Sequence, residues 1–278
     1  MDDKFKKDGV YPNTSRAEYE SITGVNQSLL KWFRRTPAHA KQEMEMPSAP
    51  TDSMELGSAI HCAILEPTRF AKEYVIAPKV DRRTTIGKNA WADFEANNIG
   101  KEHISAADAE IIRGMQESVY AHPEVKLFMA AKGSNELGVV WTDKKTGLRC
   151  KGLIDRINQW TGWTVVVDFK SCTSAAQWDF EKAVAKYGYH LQAAAYLEGL
   201  NALAPMERRF LFVAIEKKPP YCCAIYELDE PSLRTGQILF REYLDQYANC
   251  MKTGVWPGYR QSVMQIQIPR YEMLGEDV

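Results

Sequence analysis

The chain has 278 residues, 45% hydrophobic and 26% charged, with a formal net charge of −1, a composition that excludes disordered and collagen-like chains and leaves room for one large domain or two small ones. The near-neutral balance gives no overall basic signal, so any nucleic-acid binding must rest on local clusters. No apolar run reaches the roughly 18 residues that read as a membrane span, and the opening MDDKFKKDGVYPNTS has no apolar signal core, so a cytoplasmic protein with no membrane partner is expected.

In chain order, VNQSLLKWFRRTPAHAKQEME reads as helix, with Leu29, Leu30, Trp32 and Phe33 on its apolar face, Asn26 or Ser28 as cap and Pro37 dividing it in two. TDSMELGSAIHCAILEP predicts a second helix, capped by Thr51 or Asp52 and stopped near Pro67. Helical periodicity continues over about 86–97 and 105–121. From about 135 the period changes to two: ELGVVWTD, a KKTG turn, LRCKGLIDRINQW, a TGW turn and TVVVDFKS predict a three-stranded meander. Helix follows at about 175–203, then strands RRFLFVAIEKK and YCCAIYELD, then a long amphipathic helix at about 230–252. The expected fold class is α/β, a mixed central sheet flanked by helices with a helical N-terminal portion. One domain is expected over 1–278, with a helical part at about 11–130, a sheet core at about 131–255 and an irregular tail at 256–278. The six cysteines (62, 150, 172, 222, 223 and 250) form no CxxC pair, which argues against a zinc ribbon or a disulfide scaffold.

The stretch WTVVVDFKSC carries the chemistry. Asp168 and Lys170 lie two apart near the end of a strand, so both leave one face of the sheet. Asp155, in GLIDRI of the preceding strand, joins them if the short TGW connection makes the strands antiparallel neighbours. Converging carboxylates repel unless a cation neutralises them, and oxygen donors favour Mg²⁺ or Mn²⁺. A lysine in the same patch can hold water or stabilise charge on phosphorus. An isolated Asp-x-Lys more often closes a strand as a surface ion pair. Here it has company: Gln192 and Tyr196 lie four apart on a helix face, as do Gly57 and His61.

Asp, about a dozen residues, then Asp-x-Lys resembles the PDDEXK nuclease signature, QxxxY resembles the motif of RecB-family nucleases, and GxxxH resembles their histidine element. The ordered series VNQSLLKWFRRTPAHA, LGSAIHCAILEPTRF, APKVDRRTTIGKNAW, NELGVVW, CKGLIDRI, VVDFKS and YGYHLQAAAY is similar to the RecE-type exonuclease VIII domain of phage and prophage recombination systems, over roughly residues 11–260. Asp168 stands where the PDDEXK signature more often has glutamate, as it does in the RecE branch. The resemblance implies a PDDEXK restriction-endonuclease-like fold, with Asp155, Asp168, Lys170, Gln192 and Tyr196 as active-site residues. It further implies metal ligation by His61, Glu136, Asp155, Asp168 and the Phe169 backbone carbonyl.

The activity implied by that resemblance is a Mg²⁺-dependent exonuclease, with Mn²⁺ able to substitute, that degrades one strand of duplex DNA from its 5′ end. It leaves a 3′ overhang for a RecT-type single-strand annealing partner, from a ring-like homo-oligomer. The alternatives are a non-catalytic DNA-binding or partner-docking module of the same fold, or a nuclease acting on single strands or flaps. Two basic groups are candidate DNA contacts: Arg34 and Arg35 in KWFRRTPAHAK, and Arg82, Arg83 and Lys88 in KVDRRTTIGK. One of Arg82 and Arg83 is expected to grip a terminal 5′ phosphate, with Thr84 or Thr85 completing the pocket.

Overall fold

Alternation along residues 164–172 sets the architecture, because successive side chains of a strand leave opposite faces. The structure is a computed structural model and describes residues 3–160 and 163–268. In chain order the elements are β1 (Gly9–Tyr11), α1 (Arg16–Ser21), α2 (Gln27–Leu30), α3 (Pro37–Glu45), α4 (Asp52–Leu65), α5 (Pro67–Glu73), β2 (Tyr74–Ile76), α6 (Thr85–Asn97), β3 (Glu102–Ile104), α7 (Ala106–Ala121) and α8 (Pro123–Ala130). The second half adds β4 (Gly133–Thr142), β5 (Arg149–Trp160), β6 (Trp163–Cys172), α9 (Gln177–Tyr187), α10 (Tyr189–Leu203), β7 (Arg208–Glu216), β8 (Cys223–Glu227) and α11 (Glu230–Thr253). Short 3₁₀ turns occupy Asp3–Phe5 and Lys31–Arg34.

Six strands form one mixed sheet in the order β1-β4-β5-β6-β7-β8, with helices on both faces. β4, β5 and β6 are the expected antiparallel meander. β6 and β7 run parallel, joined by the α9–α10 crossover. On one face Val165, Val167 and Phe169 pack with Ile60 and Ile64 of α4, Met115 of α7 and Val125 of α8. On the other, Val166 and Phe212 pack with Leu191 and Leu197 of α10 and Phe240 and Leu244 of α11. Asp168 and Lys170 share the parity of Val166, so they are directed toward the α10 side.

Local chemistry fixes the helix ends. Asn26 Oδ1 accepts from Leu29 N–H at 2.8 Å and Thr51 caps α4, each resolving one of two candidate caps. Pro37 occupies the first turn of α3, where its missing N–H costs nothing. α4 ends at Leu65, near Pro67 as expected, and Pro67 in turn opens a further short helix, α5, that the sequence reading did not include. A two-stranded parallel sheet, β2 with β3, straddles α6. Residues 254–268 have no regular structure. The rest of the tail, 269–278, and residues 161–162 of the TGW turn lie outside the described residues.

Candidate active site

Three strands deliver acidic residues to the place where β5 and β6 part. The β5–β6 ladder closes at Arg156↔Val167, so Asp155 and Asp168 sit one step beyond its last pair. Asp155 Oδ2 accepts the Phe169 N–H at 2.7 Å, which fixes its rotamer across the two strands. Glu136 interrupts the β4–β5 register between Asn135↔Arg156 and Leu137↔Ile154. Its φ of +45° is left-handed, costly for a residue with a Cβ and typical of functional positions. The Thr14 N–H, donating to Glu136 O at 2.8 Å, holds that bend.

Helices bring the remaining groups from both faces. From α4, His61 Nδ1 comes within 3.4 Å of Asp155 Oδ2. α4 is held at its C-terminal end, where the carbonyls of Ala63, Ile64 and Leu65 accept from Gln116 Nε2, Tyr120 OH and Asn135 Nδ2 at 2.5, 2.6 and 2.6 Å. From α10, Gln192 Nε2 donates to Asp168 Oδ1 at 2.9 Å and contacts Tyr196 OH at 3.3 Å. Gly152 on β5 lies beside the Tyr196 ring, where a Cβ would come within 3.0 Å of two ring carbons. Lys170 Nζ forms an ion pair with Asp168 Oδ2 at 2.5 Å and lies 4.8 Å from the centre of the Tyr189 ring. His61, Glu136, Asp155, Lys170, Gln192 and Tyr196 all line one cavity of about 400 Å³.

Burial and charge pull the titrations apart. Burial pushes the Asp168 carboxyl up to about 6, against the restraining charge of Lys170. Burial, reinforced by Asp155, raises Glu136 to about 8. Burial opposes charge on His61, and the adjacent Asp155 outweighs it, lifting the imidazole to about 9. For Asp155 itself burial acts upward, and the His61 charge brings the carboxyl below its ordinary value. Lys170 is likewise held above its ordinary value by Asp168 despite burial.

Among the described residues no group of three or more His, Cys, Asp or Glu is already gathered in coordinating geometry. The ammonium of Lys170 and the imidazole of His61 stand against the carboxylates instead. The donor chemistry nonetheless fits a hard divalent cation: buried Asp168 Oδ2 has an ion-pair neighbour but no hydrogen bond, and Asp155, Glu136 and His61 supply further oxygen and imidazole donors around the cavity. The Phe169 carbonyl lies in the backbone between Asp168 and Lys170.

The model of a family described as a PDDEXK-like domain of unknown function (DUF3799) matches residues 26–266. The chain belongs to that DUF3799 family. No curated protein matches it in sequence. Among solved structures, a "Putative exonuclease" from Eubacterium rectale is similar at TM-score 0.60 and 15% identity, covering 92% of this chain and 96% of that one. SSO0001 aligns at TM-score 0.36 and 15% identity over 83% of this chain and 81% of that one. The first likeness shows a shared fold.

In this DUF3799 domain the basic groups singled out in the sequence do not line the cavity. Arg83 forms a two-pronged pair with Asp81, Nε to Oδ1 and Nη2 to Oδ2, each 3.0 Å. Arg82 lies 4.2 Å from the Trp91 ring centre, and Thr84 caps α6 by accepting the Gly87 N–H at 3.0 Å. Gly87 is required there, since a Cβ would fall 2.0 Å from Asp81 O. Lys88 is exposed in the first turn of α6. Arg34 Nη1 donates to Ala185 O at 2.9 Å, closing α9, and Arg35 stands 6.0 Å from the Trp32 ring centre. The cavity wall instead carries Arg16 and Arg69. Arg69 is tied to Glu66 and Glu73 at 2.5 and 2.8 Å. Sequence reasoning passed over both, because single arginines in short helices form no cluster. Tyr189 was legible in principle, three residues before Gln192 on the same helix face.

Proposed function

We propose that this DUF3799 domain is a Mg²⁺-dependent exonuclease of duplex DNA ends, with Mn²⁺ able to substitute, that digests the 5′-ended strand and leaves a 3′ overhang for a RecT-type annealing partner. A ring-like homo-oligomer would keep it on its substrate. The observation that carries the hydrolytic part is the constellation of buried Asp155, Asp168 and Gln192 with the half-buried Lys170, where β5 and β6 part in a PDDEXK-like sheet. Polarity, processivity and partner rest on the motif series resembling the RecE branch.

Asp155, Asp168, His61, Glu136 and the Phe169 carbonyl would hold a Mg²⁺, which would supply Lewis acidity toward the scissile phosphate and lower the pKa of bound water. The chain's own groups prepare that step. Gln192 holds Asp168 Oδ1, which leaves Oδ2, paired only with Lys170, as the oxygen that would face an ion. The Phe169 N–H holds Asp155 Oδ2 in place. Lys170 keeps its proton, and turning from Asp168 to a phosphate oxygen or the attacking water sets a positive charge where negative charge develops. Incubating the protein and Mg²⁺ with linear duplex labelled at one 5′ or one 3′ end tests the proposal. The 5′ label is expected to appear first in small products while the 3′ label stays in long single strands. Early release of the 3′ label alone would reverse the assigned polarity, and no release of either would defeat the exonuclease reading.

A further inference from the structure

We infer that one face of α9, continuing through the α9–α10 corner to Lys170, is a track for an unpaired nucleic-acid strand that enters or leaves the active site. Trp178, Lys182 and Lys186 recur every four residues, which places them along one helix face over a rise of about 12 Å. All three are exposed, Trp178 at 68%, far more than an aromatic with a structural task would be. Lys182 Nζ lies 4.7 Å from the Trp178 ring centre and Lys186 Nζ 5.2 Å from that of Tyr187. Tyr187, 48% exposed, stacks on Tyr189 with centroids 5.7 Å apart, and the ring of Tyr189 faces the catalytic lysine. The line of aromatics and cations is therefore continuous with the site.

More positive charge gathers at the corner. The Arg34 guanidinium caps the end of α9, and the stem of Lys31 lies 3.7 Å from where a Gly188 Cβ would stand. Acidic residues on α9 are already engaged: Asp179 lies 3.6 Å from Lys182, and Glu181 accepts from Gln177 at 2.9 Å. Exposed rings interleaved with lysines fit a strand whose bases are free to stack and whose phosphates need cations. Paired bases in a duplex offer no such faces. A protein partner with an acidic surface would use the lysines and leave the rings idle.

The direction of the track rests on the nuclease reading, and its existence can be tested without turnover. Fluorescence anisotropy of labelled oligothymidylate with the full chain in EDTA measures binding alone. Trp178→Ala and Tyr187→Ala are each expected to weaken it about fivefold or more, the scale of one stacked base, and Trp178→Phe to restore most of the loss. Changing Lys182 and Lys186 together to Gln should flatten the slope of log affinity against log salt by roughly 1.4. Circular dichroism should show an unchanged fold, since these positions are exposed. Unchanged binding in the alanine and glutamine variants, or equal competition by polyglutamate, would overturn the track. Digestion with Mg²⁺ run in parallel separates the two ideas. Turnover by the wild type with binding untouched in the variants removes the track and keeps the nuclease. Lost binding without wild-type turnover does the reverse.

Discussion

Asp168 is a buried carboxylate with one oxygen held by Gln192 and the other facing Lys170 without a hydrogen bond. Removing the amide lets the carboxylate rotate, so Gln192→Ala should slow hydrolysis about 10- to 100-fold, the usual cost of losing a residue that orients a ligand. Single-turnover rates at saturating Mg²⁺ check this, and an unchanged rate would make Gln192 a packing residue. Titration gives a second handle. The raised carboxyls, Asp168 at about 6 and Glu136 at about 8, destabilise the fold increasingly as pH rises from their unfolded values to those folded ones. His61, raised to about 9, stabilises fully below its unfolded value of 6.5 and loses that contribution as pH rises through 9. A divalent cation bound as proposed would displace those same protons, so its affinity should climb by on the order of tenfold per pH unit for each proton released. Scanning fluorimetry should therefore show a larger Mg²⁺-induced rise in Tm at pH 8 than at pH 6, and a smaller effect in Asp168→Asn. A shift independent of pH would mean these groups do not bind the ion. Strand and helix periods put Asp168 with Lys170 and Gln192 with Tyr196 on common faces, Asp155 joined them once the strands were taken as neighbours, and the place of His61 with them came from the resemblance. Glu136 was legible only through resemblance, since nothing in ELGVVW announces a left-handed residue.

At the scale of elements, the site depends on how α4 is moored. Three side chains from α7 and β4 satisfy the carbonyls of its last turn. Tyr120→Phe removes one hydrogen bond at Ile64 O and should cost about 1 kcal/mol, whereas Asn135→Leu also strips an acceptor from Arg156 and should cost about 1–3 kcal/mol. Urea melts would measure both; equal costs for the two substitutions would argue against the shared network. The N-terminal arm is tied down by Lys151, whose buried ammonium donates to Tyr19 O and Ile22 O at 3.0 and 2.6 Å. Lys151→Met takes this donor from both carbonyls, and Tyr19 O keeps only the Ile22 N–H. The meander, α4, α6, α7 and α11 were readable from periodicity and caps. β1, β2 and β3 were not, since three residues show no period and their pairing is decided by distant partners. α5 was missed because Pro67 was read only as the stop of α4, whereas a proline can also open the next helix.

For the whole molecule, two helical layers on one mixed sheet bring His61 to Asp155 and Gln192 to the neighbouring Asp168 from opposite faces. The sequence pattern supplied strands and helices in order, and hence a mixed sheet flanked by helices. It could not supply the parallel β6–β7 contact or the position of the basic loops, which depend on packing between segments far apart in the chain. That is why Arg82 and Arg83 looked like a phosphate grip in sequence, while in the fold one lies over Trp91 and the other is paired with Asp81. The central claim is that Asp155, Asp168 and Lys170 form a hydrolytic centre. The most direct measurement is single-turnover digestion of end-labelled linear duplex with Mg²⁺, comparing the wild type with Asp168→Asn and Lys170→Ala at matched folding and matched duplex affinity. Losses of about 100-fold or more in both variants, on the scale of removing a group that stabilises transition-state charge, with EDTA stopping the wild type, are predicted. Digestion by either variant at close to the wild-type rate would contradict the account.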